Sequence, residues 1–188
     1  MRIISEAYQH LGQLIKETIL DDNGRPAFHW ADLWYEQTEF PDLAEAIDYP
    51  AVFFDFASDD IKTLGQLEQD ISLLTDLYVA VDTLQDTAIG SPEPPGGLHF
   101  LELCARVQEK LQAYDHPSCG NLTRIGFSRF SARTNVIVYR LTYRSQVVDT
   151  SATDVRRNRV PPPPGALTMG DRHTPPTNPI SRPPVFDL

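Results

Sequence analysis

The chain has 188 residues, 41% of them apolar and 22% charged, the balance of an ordinary soluble globular protein. Its 26 Asp and Glu against 16 Lys and Arg leave a net charge of −10, which disfavours nucleic-acid binding because that affinity comes largely from cations neutralising phosphates. No stretch approaches the roughly 20 consecutive apolar residues of a membrane span. The first residues, Met1-Arg2-Ile3-Ile4-Ser5-Glu6, run into an acid-containing helix unlike a secretory leader, so a cytosolic product is expected.

From the N-terminus, Ile4, Ala7/Tyr8, Leu11, Leu14/Ile15 and Ile19 recur at helical spacing and predict an amphipathic helix from Ile3 to Leu20. Asp21-Asp22-Asn23-Gly24 stops it, since Asn and Gly accept left-handed backbone angles. The aromatic run Phe28 to Tyr35 reads as a short strand, with Phe28, Trp30 and Trp34 of one parity. Residues 36–49, with Pro41 and scattered acids, read as a connecting loop. In strand 50–57, Val52, Phe54 and Phe56 point one way and Phe53 the other, so both faces are apolar and an interior position follows.

Gln66 to Thr83 alternates as one long strand, with Ile71, Leu73, Thr75, Leu77, Val79 and Val81 on one face. The other face, Ser72, Leu74, Asp76, Tyr78, Ala80 and Asp82, is more polar. Proline and glycine in Ile89 to Gly97 exclude regular structure there. A second helix from about Leu98 to Tyr114 puts Leu101, Cys104, Val107/Gln108 and Leu111 on its buried side. Strand 122–131, a turn near Ala132-Arg133-Thr134 and strand 135–148 complete the body. Ile137, Tyr139, Leu141, Tyr143 and Val147 share one face of the last strand; Val136, Val138, Arg140, Thr142, Arg144 and Gln146 share the other. The expected fold is α+β: a four- or five-stranded, mostly antiparallel sheet with two helices packed on one face, plus an extended C-terminal arm.

The arm differs in character from the body. Residues 1–149 hold 11 Lys and Arg against 23 Asp and Glu, a net of −12; residues 150–188 hold five Arg against three Asp, a net of +2. Nine of the 16 prolines lie in the arm, so it forms neither a helix nor a central strand and is expected to be extended. Its tip, Pro183-Pro184-Val185-Phe186-Asp187-Leu188, is apolar enough to dock on a partner. Residues 160–188 are expected to become ordered only on binding a partner.

Little in the chain points to catalysis. His29 and Asp32 are close in sequence, but i and i+3 on a strand face opposite ways. His116 and Cys119 have the spacing of half a metal site without a second half, and His99 with Glu102 reads as a solvated pair. Gly96-Gly97 offers amides to an anion, though a hinge explains the pair more simply. No Gly-rich phosphate loop, Gly-x-Ser-x-Gly elbow or His-Glu-x-x-His occurs. Cys104 and Cys119 are too few for a disulfide framework and are expected to be free thiols. Hence no catalytic, cofactor-binding or metal-binding residue is assigned. Arg140 and Arg144 form a basic row on an acidic body. It reads either as solvent-facing charge or as a subunit contact meeting Asp76 and Asp82 of a neighbouring copy.

The order of these segments resembles the tail-terminator (tail-completion) proteins of long-tailed bacteriophages. The pieces that carry the likeness are Tyr49-Pro50-Ala51-Val52-Phe53-Phe54-Asp55-Phe56, Asp76-Leu77-Tyr78-Val79-Ala80-Val81, Leu98-His99-Phe100-Leu101-Glu102-Leu103, and Leu122-Thr123-Arg124 ahead of Asn135-Val136-Ile137-Val138-Tyr139. They span residues 1–149; the proline-rich arm departs from the family pattern. The resemblance implies a homo-oligomeric ring of six subunits that caps the tail tube, stops its growth and joins it to the head or neck, without enzymatic activity or cofactor. It implies the tail tube protein and head–tail connector or neck proteins as partners, and DNA passing through the channel without specific binding. It also implies a place in the virion after assembly in the host cytoplasm, with no membrane involved. Two other readings stand beside it: another neck component, such as a head–tail connector or stopper, and an unrelated cytosolic α+β small-molecule binder with a pocket around His29 and Trp30.

Overall fold

Residues 2–65, 67–82, 94–130 and 136–152 are described in a computed structural model. The arm from residue 153 onward, including Pro183, Pro184, Val185, Phe186 and Leu188, and the turn expected near Ala132 lie outside the described residues.

The first helix, α1 (Arg2–Thr18), buries Ile3, Ala7, Leu11 and Ile15 along one stripe, as the i, i+4 spacing requires. The turn that follows is held by Asp21, whose Oδ1 accepts from the backbone N–H groups of Asn23 (2.9 Å) and Arg25 (2.8 Å). Gly24 takes the left-handed φ of 76°. These hydrogen bonds, chiefly that from Arg25, hold the Asp21 carboxyl below the usual range.

Strand β1 (Trp30–Leu33) runs parallel to β2 (Ala51–Thr63), and β2 forms an antiparallel hairpin with β3 (Gln69–Asp82). Between β1 and β2 the chain makes a 3-10 turn at Gln37–Glu39 and one turn of helix, α2 (Pro41–Ala44). Helix α3 (Pro94–Leu111) leads to the two-residue strands β4 (Asp115–His116) and β5 (Gly120–Asn121). A second hairpin, β6 (Thr123–Phe130) with β7 (Val136–Asp149), closes the body. The main sheet has the order β1-β2-β3-β7-β6 and is antiparallel except at its β1 edge. Five strands with α1 and α3 on one face is the expected α+β architecture.

Its centre is β2. Ala51, Val52, Phe53 and Phe54 are all fully buried, and alternate residues enter separate cores. Val52 and Phe54 join Leu77, Val79, Leu141 and Tyr143 under α1 and α3, while Ala51 and Phe53 join Tyr78, Ala80 and Val138 on the reverse face. Each fully buried Phe contributes roughly 2–3 kcal/mol of transfer free energy. The two helices are tied to each other by Arg106, which donates to the Leu20 carbonyl at 2.6 Å. Tyr143 ties sheet to helix by donating to Gln108 Oε1 at 3.0 Å.

Three local expectations need correction. Helix α3 begins at Pro94, inside the stretch read as irregular; proline fits the first helical turn, whose N–H groups have no intrahelical acceptor. On that helix Leu101 is exposed, and Phe100, Leu103, Cys104, Val107 and Leu111 are buried instead. Residues 36–49 are more than a connecting loop, since they carry the 3-10 turn and α2.

Candidate interaction surface

The reverse face of the sheet divides into two halves. Because directly opposed residues of antiparallel strands share a face, the register sets Phe53 beside Tyr78 beside Arg140, and Asp55 beside Asp76 beside Thr142. One half is apolar and covered. The chain leaves β1 so that Trp34 lies flat on Tyr78, ring centroids 4.1 Å apart and 8° from parallel, with Phe130 edge-on to both. Ile47 and Tyr49 complete that lid. Gln37, almost fully buried, braces the turn: its Nε2 donates to the Leu33 carbonyl, and its Oε1 accepts from the Tyr35 N–H, both at 2.9 Å. Burial, with Asp82 next, pushes the Tyr49 phenol up to about 12.

The other half is polar and carries no helix among the described residues. Thr142 donates to Asp76, Arg140 Nη1 lies 3.9 Å from the second oxygen of Asp76, and Gln146 donates to Asp70 at 2.7 Å. Arg144 donates to Asp59 at 2.8 Å; Asp59 stands where the β2–β3 register shifts between Ser58 and Asp60. So Arg140 and Arg144 each face a carboxylate of their own chain. Asp82, opposite Val136, is six residues along β3 from Asp76, roughly 20 Å at strand rise, and is not part of this group.

The histidines fall out differently from their sequence neighbours. His29 Nδ1 lies 3.2 Å from Asp48, and Asp32 instead accepts from the Leu33 N–H. His99 and Glu102 are an exposed pair at 3.7 Å. His116 turns from Cys119 to Ser118 (2.8 Å), while its ring stacks on His10 at 3.6 Å and 11°. His10 in turn lies 2.7 Å from the Tyr114 hydroxyl. Burial first, and His116 second, lower the His10 pKa. The stacked rings border an open groove of about 560 Å³ with Arg2, Glu6 and Asp149. Nothing local signals this pair, whose members are 106 positions apart. Cys104 and Cys119 are free and buried, their thiols pushed up to about 12 and about 11 by desolvation. Among the described residues no group of three or more His, Cys, Asp or Glu is placed to hold a metal ion. No described helix is long and apolar enough to cross a membrane.

Comparison with protein-family models and with curated proteins finds no match.

What the geometry offers is surface. Among the described residues, seven of the twelve exposed large apolar side chains fall in two groups. Trp30, Leu33, Tyr35, Phe40 and Leu43 lie on and just after β1, and Ile125 and Phe127 lie on β6. Strands β1 and β6 are the two edges of the sheet, and Tyr35, Phe40 and Leu43 belong to the segment after β1 whose Trp34 and Ile47 cover the reverse face. The sequence flags neither group: the shared parity of Phe28, Trp30 and Trp34 does not say which face is exposed, and residues 36–49 read as a connecting loop.

Proposed function

We propose that this chain is a structural subunit of a tailed bacteriophage: it assembles into a ring that caps the tail tube and joins it to the head or neck. The observation that carries the reading is the helix–strand–long strand–helix–hairpin order over residues 1–149, which is the order of the tail-terminator resemblance. The exposed apolar edges support it, since a chain that works alone rarely leaves such side chains gathered. The acidic body supports it too: a channel wall that repels phosphates lets DNA pass without holding it. On this reading the chain performs no catalysis and needs no cofactor, and its partners are copies of itself, the tube protein and neck proteins.

The test is electron microscopy of the purified chain, alone and with a tail tube protein from the same source. Hollow six-fold rings and tubes capped at one end are expected. Isolated single copies that ignore tube ends would sink the reading. A small-molecule binder is the second reading, favoured by the groove beside His10 and His116, whose volume lies in the range of ligand sites. It predicts a ligand-dependent rise in melting temperature that His116→Ala abolishes.

A further inference from the structure

We infer that the basic, proline-containing stretch of one copy's arm, residues 156–164, docks on the acidic and aromatic surface that follows β1 in a second copy. This contact rests on the assembly reading above and names what links the copies.

The receiving surface is one short segment. After β1 the chain folds over the reverse face, held by Trp34 on Tyr78 at one end and by Ile47 and Tyr49 at the other. Between those anchors Tyr35, Phe40 and Leu43 are exposed, and so are Glu36, Asp42 and Glu45. Residues 30–48 hold six acids and no Lys or Arg. Elsewhere on the body, Glu6, Asp22, Asp59 and Asp60 each lie within ion-pair distance of a Lys or Arg. Among the described residues no cation does this for Glu36, Asp42 or Glu45. Arg140, beside Tyr78 in the register, is turned to Asp76 at 3.9 Å.

The arm carries the matching chemistry. Arg156-Arg157-Asn158-Arg159-Val160 runs into Pro161-Pro162-Pro163-Pro164, with three arginines, four prolines and no acid. The arm's two later proline pairs, Pro175-Pro176 and Pro183-Pro184, follow one arginine each. Arginine stacks on aromatic rings while pairing with carboxylates, and a proline run lies on exposed aromatics at little cost in chain entropy.

Reach decides which copy is engaged. Ser151 and Ala152 line a groove with Thr63, Glu68 and Gln69, at the end of the β2–β3 hairpin. The receiving segment is anchored on Tyr78, whose partner on β7 is Arg140, nine residues before Asp149 and roughly 30 Å away at strand rise. A fully extended chain carries the backbone of Arg159, seven residues past Ala152, no farther than about 25 Å, and that of Arg156 no farther than about 14 Å. The arginines of one copy therefore fall short of its own surface and meet a neighbour's. Such a contact joins two different parts of the chain, so it is heterologous: it repeats from copy to copy and closes into a ring if the rotation permits.

A charge swap on the full chain tests the inference. One variant carries Arg156→Glu, Arg157→Glu and Arg159→Glu; the other carries Asp42→Lys and Glu45→Lys, both at exposed positions. Below the association range each should melt at the parent's temperature. In sedimentation velocity the parent should associate, and more weakly as salt rises, because the paired charges are exposed. That salt response needs no variant, so it stands even where a substitution disturbs folding. Each variant alone should associate about tenfold or more weakly than the parent, since like charges then face each other. Their equimolar mixture should recover, because each reversed surface meets an opposite one on the other variant; no contact within a single chain gives that recovery. A variant that associates like the parent overturns the inference, as does a mixture that stays dissociated. An association indifferent to salt overturns it too, and so does a parent that is monomeric at its highest soluble concentration. The phage reading fails separately: a chain that associates through arm and surface but never binds tube ends keeps the contact and loses the function.

Discussion

The two faces of the five-stranded sheet are built from the same strands and solve different problems. Under α1 and α3 the face is one continuous apolar core running from Ala7 through Phe54 to Tyr143. On the reverse face only the half beneath Trp34, Ile47 and Tyr49 is dry, and the rest is a lattice of carboxylates, arginines and Thr142. The difference separates what keeps the chain folded from what the chain shows to its surroundings. Stability should therefore be concentrated on one side and tolerance on the other.

The sharpest way to break that contrast is to empty the helix side. Phe54→Ala should cost about 3–5 kcal/mol, the usual toll of deleting a fully buried aromatic ring, read by urea unfolding. A cost under ~1 kcal/mol would mean that this core does not hold the sheet. On the reverse face, Trp34→Ala should cost less, about 2 kcal/mol, because Trp34 is only partly buried. Its effect should stay local, with faster amide exchange over residues 34–49 and little change in β3 or β7. Uniformly faster exchange would show the lid to be part of the main core.

Thr75 sharpens the comparison from the other direction. It is fully buried on the helix side and its hydroxyl has no hydrogen-bond partner, so Thr75→Val should raise stability by about 1 kcal/mol. Arg144→Ala on the polar half should change stability by no more than about 0.5 kcal/mol, because both members of the Arg144–Asp59 pair are half exposed. The smallest effect is the pH dependence of His10. Its folded pKa lies below the ordinary 6.5, chiefly through burial and then through His116. Arg2, Glu6, Asp149 and the Tyr114 hydroxyl are its other charged and titratable surroundings. The unfolded chain thus binds the proton more tightly, and stability is intact above the unfolded value and declines as pH falls through it. His10→Gln should flatten that decline, and an unchanged slope in chemical denaturation would assign it to other groups.

Much of the helix side was legible because its pattern is strictly periodic. Ala7, Leu11 and Ile15 give α1, and Val52-Phe53-Phe54 announces a strand buried on both faces. The alternation Ile137, Tyr139, Leu141, Tyr143 gives β7 its inward side. Elsewhere the sequence says less. The extension of β2 through Ser58-Asp59-Asp60-Ile61-Lys62-Thr63 has no apolar alternation and is defined by its pairing with β3. Trp34 was read with Phe28 and Trp30, yet Phe28 is in the helix-side core, Trp30 is exposed and Trp34 covers the reverse face. Four residues of β1 are too few for parity to carry past the strand's end. The stacked His10 and His116 depend on tertiary closure alone.

Neither native thiol has chemistry to offer at neutral pH. Both are shielded inside the fold with their ionisation pushed far into the alkaline range, so thiol-alkylating dyes have no ready target until the body opens. A cysteine introduced at Ile125 or Tyr35 would therefore be the sole reactive handle on an otherwise silent background. One fluorophore on either rim could then report neighbour arrival in real time, without stripping the natural thiols first.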